Sequence, residues 1–230
     1  MTPPIDVTRR RLLASVAATG AASFAGVGAL SEDAVAYTDA ATVGDGPAVR
    51  VDWRETYNGA VVDDGAAGDG PVLDVGNAQP GDSGALAFRV AGDGTDPVRV
   101  AFSLALTANE ENGRIEPERE AGDDTPTGEL ADALEIAAWY DTGAFGVSRL
   151  GGCDGERGVG ETTLVDGTLR DADAALADGV RLGGDCLGSD QQVCVGLSWS
   201  LPASVGSRIQ TDSVETDLAF AVEACGGDSS

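Results

Sequence analysis

Three stretches of this chain alternate apolar and polar residues with a period of two, a pattern that an α-helix cannot bury. They are Val98, Val100, Phe102, Leu104 and Leu106; Val193, Val195, Leu197, Trp199 and Leu201; and Val214, Thr216, Leu218, Phe220 and Val222. Successive side chains of a strand point to opposite sides, so each set lines one face of a half-buried strand. A fourth strand opens at the turn Gln79-Pro80-Gly81-Asp82-Ser83-Gly84. Pro80 presets φ, Gly81 supplies the positive φ of a type II turn, and Asp82 or Ser83 can close it with a side chain. Leu86, Phe88 and Val90 then face one way and Ala87 and Arg89 the other.

Shorter patterns add to these. Val49, Val51 and Trp53 oppose Arg50, Asp52 and Arg54, while Leu134, Ile136, Ala138 and Tyr140 oppose Trp139; residues 71–75 and 162–165 are short strand candidates. The Gly-rich link 92–97 reads as a hairpin between the strands on either side of it. Two short helical segments are expected: one turn over 129–133 capped by Thr127, and 169–178 with Leu169, Ala172 and Leu176 on one face. The second is short enough to carry little core. Residues 108–128 and 141–160 read as exposed loops. About eight strands at this spacing predict an all-β chain, a jelly-roll-like β-sandwich with long acidic loops and one or two short helices.

The charge balance limits the partners. Asp and Glu number 39 against 14 Arg, with no Lys and no His, for a net charge of −25. Such a surface repels nucleic acid and anionic lipid, so neither is an expected partner. It stays hydrated where salt screens charge, which points to a halophilic source.

The first 36 residues read as an export signal. Arg9 and Arg10 lie in a twin-arginine-like motif, an Ala/Gly-rich apolar run follows from 12 to 30, and Ala36 ends a small-residue cleavage site. Membrane contact is expected only during export, and the protein is expected outside the cell or at its surface. Residues 37–47 then read as a flexible amino-terminal arm, 48–225 as a single domain and 226–230 as a polar tail. Four cysteines, Cys153, Cys186, Cys194 and Cys225, suit two disulfides in an exported chain, with three connectivities open. Cys194 and Cys225 share the outward parity of their strands, which favours Cys194–Cys225 with Cys153–Cys186. The spacings lack the short Cys pairs of a thiolate metal site.

Catalytic residues are not evident. Without His, Ser-His-Asp triads and most zinc sites have no base or ligand, so Ser83 in Gly81-Asp82-Ser83-Gly84 reads as a turn residue. No cofactor is expected; calcium is the ion that Asp, Asn and Gly loops of this kind would suit, though no D-x-[DN]-x-[DN]-G loop is present. Trp139, facing away from Ile136, is the aromatic best placed to meet a sugar on an outer face.

The order of several motifs resembles the TasA/camelysin family in its haloarchaeal form. They are Ala36-Tyr37-Thr38-Asp39, Val51-Asp52-Trp53 with Tyr57-Asn58-Gly59, the Gln79–Gly84 turn, Trp139-Tyr140-Asp141, Leu197-Ser198-Trp199-Ser200-Leu201-Pro202, Gln210-Thr211-Asp212-Ser213 and the Phe220–Cys225 ending. The resemblance implies a jelly-roll subunit that self-associates into extracellular filaments, pili or biofilm matrix, with contacts to the cell surface or matrix. It also implies that an amino-terminal segment pairs into a neighbour's sheet, so the arm carrying Tyr37, Val43 and Val49 is the candidate donor strand. Some members carry a peptidase label, from which this chain departs in having neither His nor a zinc-protease motif. A monomeric secreted module that holds glycan or calcium is the alternative.

Overall fold

The computed structural model describes residues 37–44, 47–62, 72–76 and 78–225. The stretch expected to be an export signal, with Arg9, Arg10 and Ala36, lies outside the described residues, as does the tail 226–230.

Two antiparallel sheets face each other. The larger joins β1 (Asp39–Val43), β2 (Val49–Tyr57), β5 (Ser83–Gly92), β10 (Gln192–Ser200), β7 (Glu135–Tyr140) and β8 (Thr163–Thr168) in that order, and β3 (Ala60–Val62) also pairs with β2. The smaller runs β4 (Val72–Gly76), β11 (Asp212–Ala224), β6 (Val98–Glu111) and β9 (Val180–Leu187). The alternating residues meet where the sequence pattern aims them. Phe88 of β5, Phe102 of β6 and Phe220 of β11 form a ring triad with centroids 5.3 to 6.0 Å apart, and it joins the two sheets. Val49, Leu86, Val90, Leu104, Val195, Leu197 and Val214 are fully buried around it. Burial of this kind supplies the main driving force for the sandwich.

Several sequence expectations are corrected. The hairpin across 92–97 does not form: β5 pairs with β2 and β10, whereas β6 pairs with β11 and β9. The link therefore carries the chain from one sheet to the other. β6 runs on to Glu111, into what reads as loop, and a third short helix, α1 (Glu116–Glu120), follows it. β9 has no alternating signature because it crosses Gly183-Gly184 at the sheet edge, where one strand supplies all its partners.

The helices α2 (Leu130–Ala133) and α3 (Leu169–Leu176) sit close to their expected places. Thr168 and Asp171 cap α3 reciprocally, the Thr168 hydroxyl accepting from Asp171 N at 3.2 Å and Asp171 Oδ2 accepting from Thr168 N at 2.9 Å. Far from carrying little core, α3 buries Leu169, Ala172 and Leu176 completely against the sandwich interior.

Residues 39–43 are a strand and not a loose arm. They pair with β2 from Asp39↔Trp53 to Val43↔Val49, on the side of β2 that β5 leaves open, and β3 pairs further along the same strand. Ala41 and Val43 pack against the core.

The disulfides are Cys153–Cys194 and Cys186–Cys225, not the pairing that strand parity favours. Parity places Cys194 and Cys225 outward on their own strands, but β10 and β11 belong to different sheets, so their outward faces are on opposite sides of the molecule. Cys194 instead ties down the long excursion 141–162, and Cys186 of β9 reaches Cys225 across the start of β6. Two disulfides fit an oxidising, extracellular setting. Among the described residues no helix is long and apolar enough to cross a membrane.

Candidate functional site

The Gln79–Gly84 turn forms as its residue types direct. Gly81 has φ of +100°, Asp82 N donates to Gln79 O at 2.9 Å, and Asp82 rather than Ser83 closes the turn. Its carboxylate accepts from Gln79 N at 2.8 Å, Asn58 Nδ2 at 2.9 Å and Tyr57 Oη at 2.6 Å, which binds the turn to the β2–β3 hairpin. Burial alone would raise the Asp82 pKa, but these donors outweigh it and hold the carboxylate below its usual range. Pro80, Gly81, Ser83 and Gly84 serve this architecture; Gly84 lies under Trp199, whose ring leaves no room for a Cβ.

The arm residues separate. Val49 is fully buried in β2 and Val43 packs at the sheet edge. Tyr37 lies on the outer face, its ring 4.6 Å below the Arg89 guanidinium and its hydroxyl donating to Cys153 O at 3.1 Å. Burial pushes the Tyr37 hydroxyl up to about 12. Beside it, Asp52 is buried and accepts from Arg89 Nη2 and Arg50 Nε, each at 2.7 Å.

Next to this row the excursion 141–162 folds back over the sheet. Asp141 organises it, accepting from Cys153 N at 2.8 Å and Gly155 N at 2.7 Å. Burial dominates those bonds and raises the Asp141 carboxyl to about 6, with Asp154 and Glu161 adding like charge. Trp139, the aromatic expected on an exposed face, is 1 % exposed, and Gly155 is set close over Ala87 in the same covered region. A sugar cannot reach that indole.

The site with the most distinctive chemistry is one that sequence reading passes over. At the end of the sandwich, Glu111 closes β6, Glu118 lies in α1, Asp123 follows that helix, Glu129 precedes α2 and Asp212 opens β11. Glu118 and Asp212 are fully buried and Asp123 is 3 % exposed. Ligand-type oxygens of Glu111, Glu118 and Asp212 lie within 4.8 Å of one another, as do those of Glu111, Asp123 and Glu129, so Glu111 is common to both groups.

Local structure fixes each carboxylate. Glu118 reaches back to Ile115 N at 2.7 Å across the first turn of α1 and accepts from Thr211 N at 2.7 Å and Thr211 Oγ1 at 2.8 Å. Asp212 Oδ2 caps α2 from a distant part of the chain, accepting from Glu129 N at 2.6 Å and Leu130 N at 3.0 Å. Asp123 Oδ1 accepts from Thr125 N at 3.1 Å. Glu129 Oε1 accepts from Thr125 Oγ1 at 2.6 Å, and Glu111 Oε1 from Thr211 Oγ1 and Gly113 N at 3.2 Å.

The second oxygens behave differently. Glu111 Oε2, Asp123 Oδ2, Glu129 Oε2 and Asp212 Oδ1 are buried and have no hydrogen-bond partner. Arg208 Nη2 lies 4.0 Å from Glu129 Oε1. Burial raises the Asp212 carboxyl to about 6, the backbone donors Glu129 N and Leu130 N partly oppose the shift, and the charges of Glu111 and Glu129 add to it. For Glu118 the order reverses: burial would raise it, but the donors from Ile115 and Thr211 bring it below the ordinary range.

Comparison of the chain with protein-family models, with curated proteins and with solved structures finds no match.

Proposed function

We propose that this chain is an exported structural subunit that polymerises into extracellular filaments or biofilm matrix by strand donation, the role implied by its TasA/camelysin-like motifs. The observation that carries the reading is the placement of β1. Among the described residues it is the first strand, it lies at a sheet edge, and its strand pairing is with β2 alone. Those bonds depend on no special side chain, so the same strand from a second copy can occupy the same groove in the same register. Ala41 and Val43 are small enough to dock without repacking the core.

The excursion 141–162 adds a surface for contact between subunits. Phe145, Val147, Leu150 and Val159 are all exposed there, Phe145 at 76 %, in a chain that carries 39 acidic residues. Apolar groups presented in this way suit protein contact or contact with matrix. The glycan-binding alternative loses its best aromatic with the burial of Trp139.

Negative-stain microscopy in high salt tests the reading, comparing residues 37–230 with residues 47–230 over a concentration series. Filaments that require residues 37–46 are the expected result. Monomers at every concentration and salt would remove self-assembly, and filaments without the arm would remove strand donation.

A further inference from the structure

Buried carboxylates ordinarily find donors for both oxygens or share a proton. In the cluster at the end of the sandwich, four carboxylates have one oxygen satisfied by the fold and the other buried with no donor, while oxygens of neighbouring members lie within 4.8 Å. The satisfied oxygens act as hinges. Donors from Thr125, Thr211, Gly113 and the start of α2 lock each carboxylate plane, which fixes where the second oxygen points. Such an arrangement is costly for a group of anions alone and is what a small, highly charged cation would stabilise.

We propose that Glu111, Asp123, Glu129 and Asp212 form a site for a hard divalent cation of the calcium class. Each offers its unpartnered oxygen. Glu118, whose two oxygens both accept hydrogen bonds, is a positioning residue that holds Thr211 and the start of β11 in place. Oxygens of Glu111 lie within 4.8 Å of those of Asp123 and Glu129 in one group and of Asp212 in the other, so Glu111 is the shared ligand, and separations of this size suit oxygens around an ion at bonding distances of roughly 2.3–2.6 Å. The donor set contains oxygen only, which disfavours zinc and copper. It is rich in carboxylates, with Asp123 and Glu129 on irregular backbone and Glu111 and Asp212 at strand ends, which suits calcium better than magnesium, an ion that keeps its own waters and demands octahedral geometry.

Such an ion would tie together the end of β6, the 121–125 turn, the start of α2 and the start of β11, four segments that otherwise meet through repelling charges. The site is independent of strand donation, and the monomer contains all of it.

The test uses the exported chain with its disulfides intact, stripped with EGTA and dialysed into high salt, then titrated with Ca²⁺ or Mg²⁺ at matched ionic strength. Calorimetry and the melting temperature are read for the native chain and for the double variant Asp123→Asn, Glu129→Gln. One Ca²⁺ bound per chain is expected, with a rise in Tm that Mg²⁺ does not reproduce. The double variant is expected to lose affinity at least about tenfold. Its metal-free Tm should equal or exceed that of the native chain, because the buried charge of Asp123 and the partly buried charge of Glu129 are gone. That second readout separates a lost ligand from a damaged fold. Equal responses to the two ions, no binding, or an undiminished calcium response in the double variant would overturn the proposal.

Discussion

The indole of Trp139 lies across Gly196, its cross-strand partner on β10, so closely that a Cβ at position 196 would overlap Cε2 and Cζ2 of the ring. Trp199 lies across Gly84 on the neighbouring pair in the same way. Aromatic rings laid over strand glycines cover backbone that would otherwise lack side-chain packing. Gly196→Ala is therefore expected to destabilise the fold by about 1–3 kcal/mol, as overpacking does. Trp139→Phe in the same chain should restore part of that loss, and urea denaturation of the two single variants and the double variant measures both effects.

Asp52 and Arg89 supply a pH-dependent contribution of known sign. Burial would raise the Asp52 pKa, but the hydrogen bonds and charges of Arg89 and Arg50 bring it below the ordinary carboxylate value. The folded form thus holds the proton less tightly than the unfolded chain. The stability this gives is present above about pH 4 and is lost as pH falls through the folded pKa. Arg89→Ala is expected to cost about 1.5 kcal/mol at pH 7, the low end for a charged hydrogen bond because the guanidinium keeps contact with water. The difference from the native chain should shrink on acidification.

Asp141 has the opposite sign. Its folded pKa of about 6 lies above the ordinary value of 3.8, so its contribution is complete at low pH and is lost as pH rises from about 4 through 6. Carbon-detected NMR of the Asp carboxyls should show two resonances titrating near 6, those of Asp141 and Asp212, and Asp141→Asn should remove one of them. A midpoint below 4 for Asp141 would contradict the burial that the excursion imposes.

Peptide mapping without reduction should recover Cys153 linked to Cys194 and Cys186 linked to Cys225. The paired variant Cys186→Ala, Cys225→Ala opens a loop of 39 residues and is expected to lose about 3–4 kcal/mol. Fragments joining Cys194 to Cys225 would show that the two sheets are not arranged as described.

Locking β1 in place tests exchange directly. Thr42 and Arg50 are cross-strand partners and both exposed, so Thr42→Cys with Arg50→Cys can bond the arm to its own β2. The locked chain is expected to remain monomeric under conditions in which the Thr42→Cys chain alone forms filaments.

The alternating residues were legible in the sequence because face is a local property: Phe102 and Leu104 point inward whatever strand lies beside them. Neighbour choice is not local. Nothing in residues 92–97 tells a hairpin from a crossing between sheets, since either needs a short Gly-rich link. The disulfide expectation failed on the same ground, with the parity of Cys194 and Cys225 read correctly and their sheets not. Trp139 read as exposed because its side of β7 is the outer one, and nothing in the Gly-rich sequence of 141–162 shows that this segment folds back over it.

The carboxylate cluster was hidden for another reason. Its members span 111 to 212 without motif spacing in a chain of 39 acidic residues, so composition drowns the pattern. Only the burial of Asp212 and Glu118, which depends on the meeting of β6, β11 and α1, separates them from solvated surface charge.

The two disulfides interleave along the chain, since Cys186 lies inside the span closed by Cys153 and Cys194, and Cys194 lies inside the span closed by Cys186 and Cys225. A peptide bond cut anywhere between 153 and 225 therefore has a half-cystine on each side whose partner lies across the cut. No single nick in that third of the molecule can release a fragment, so a protease that cuts the excursion beyond Cys153 leaves the two pieces joined, whereas a cut between 141 and 153 falls outside the interlocked span.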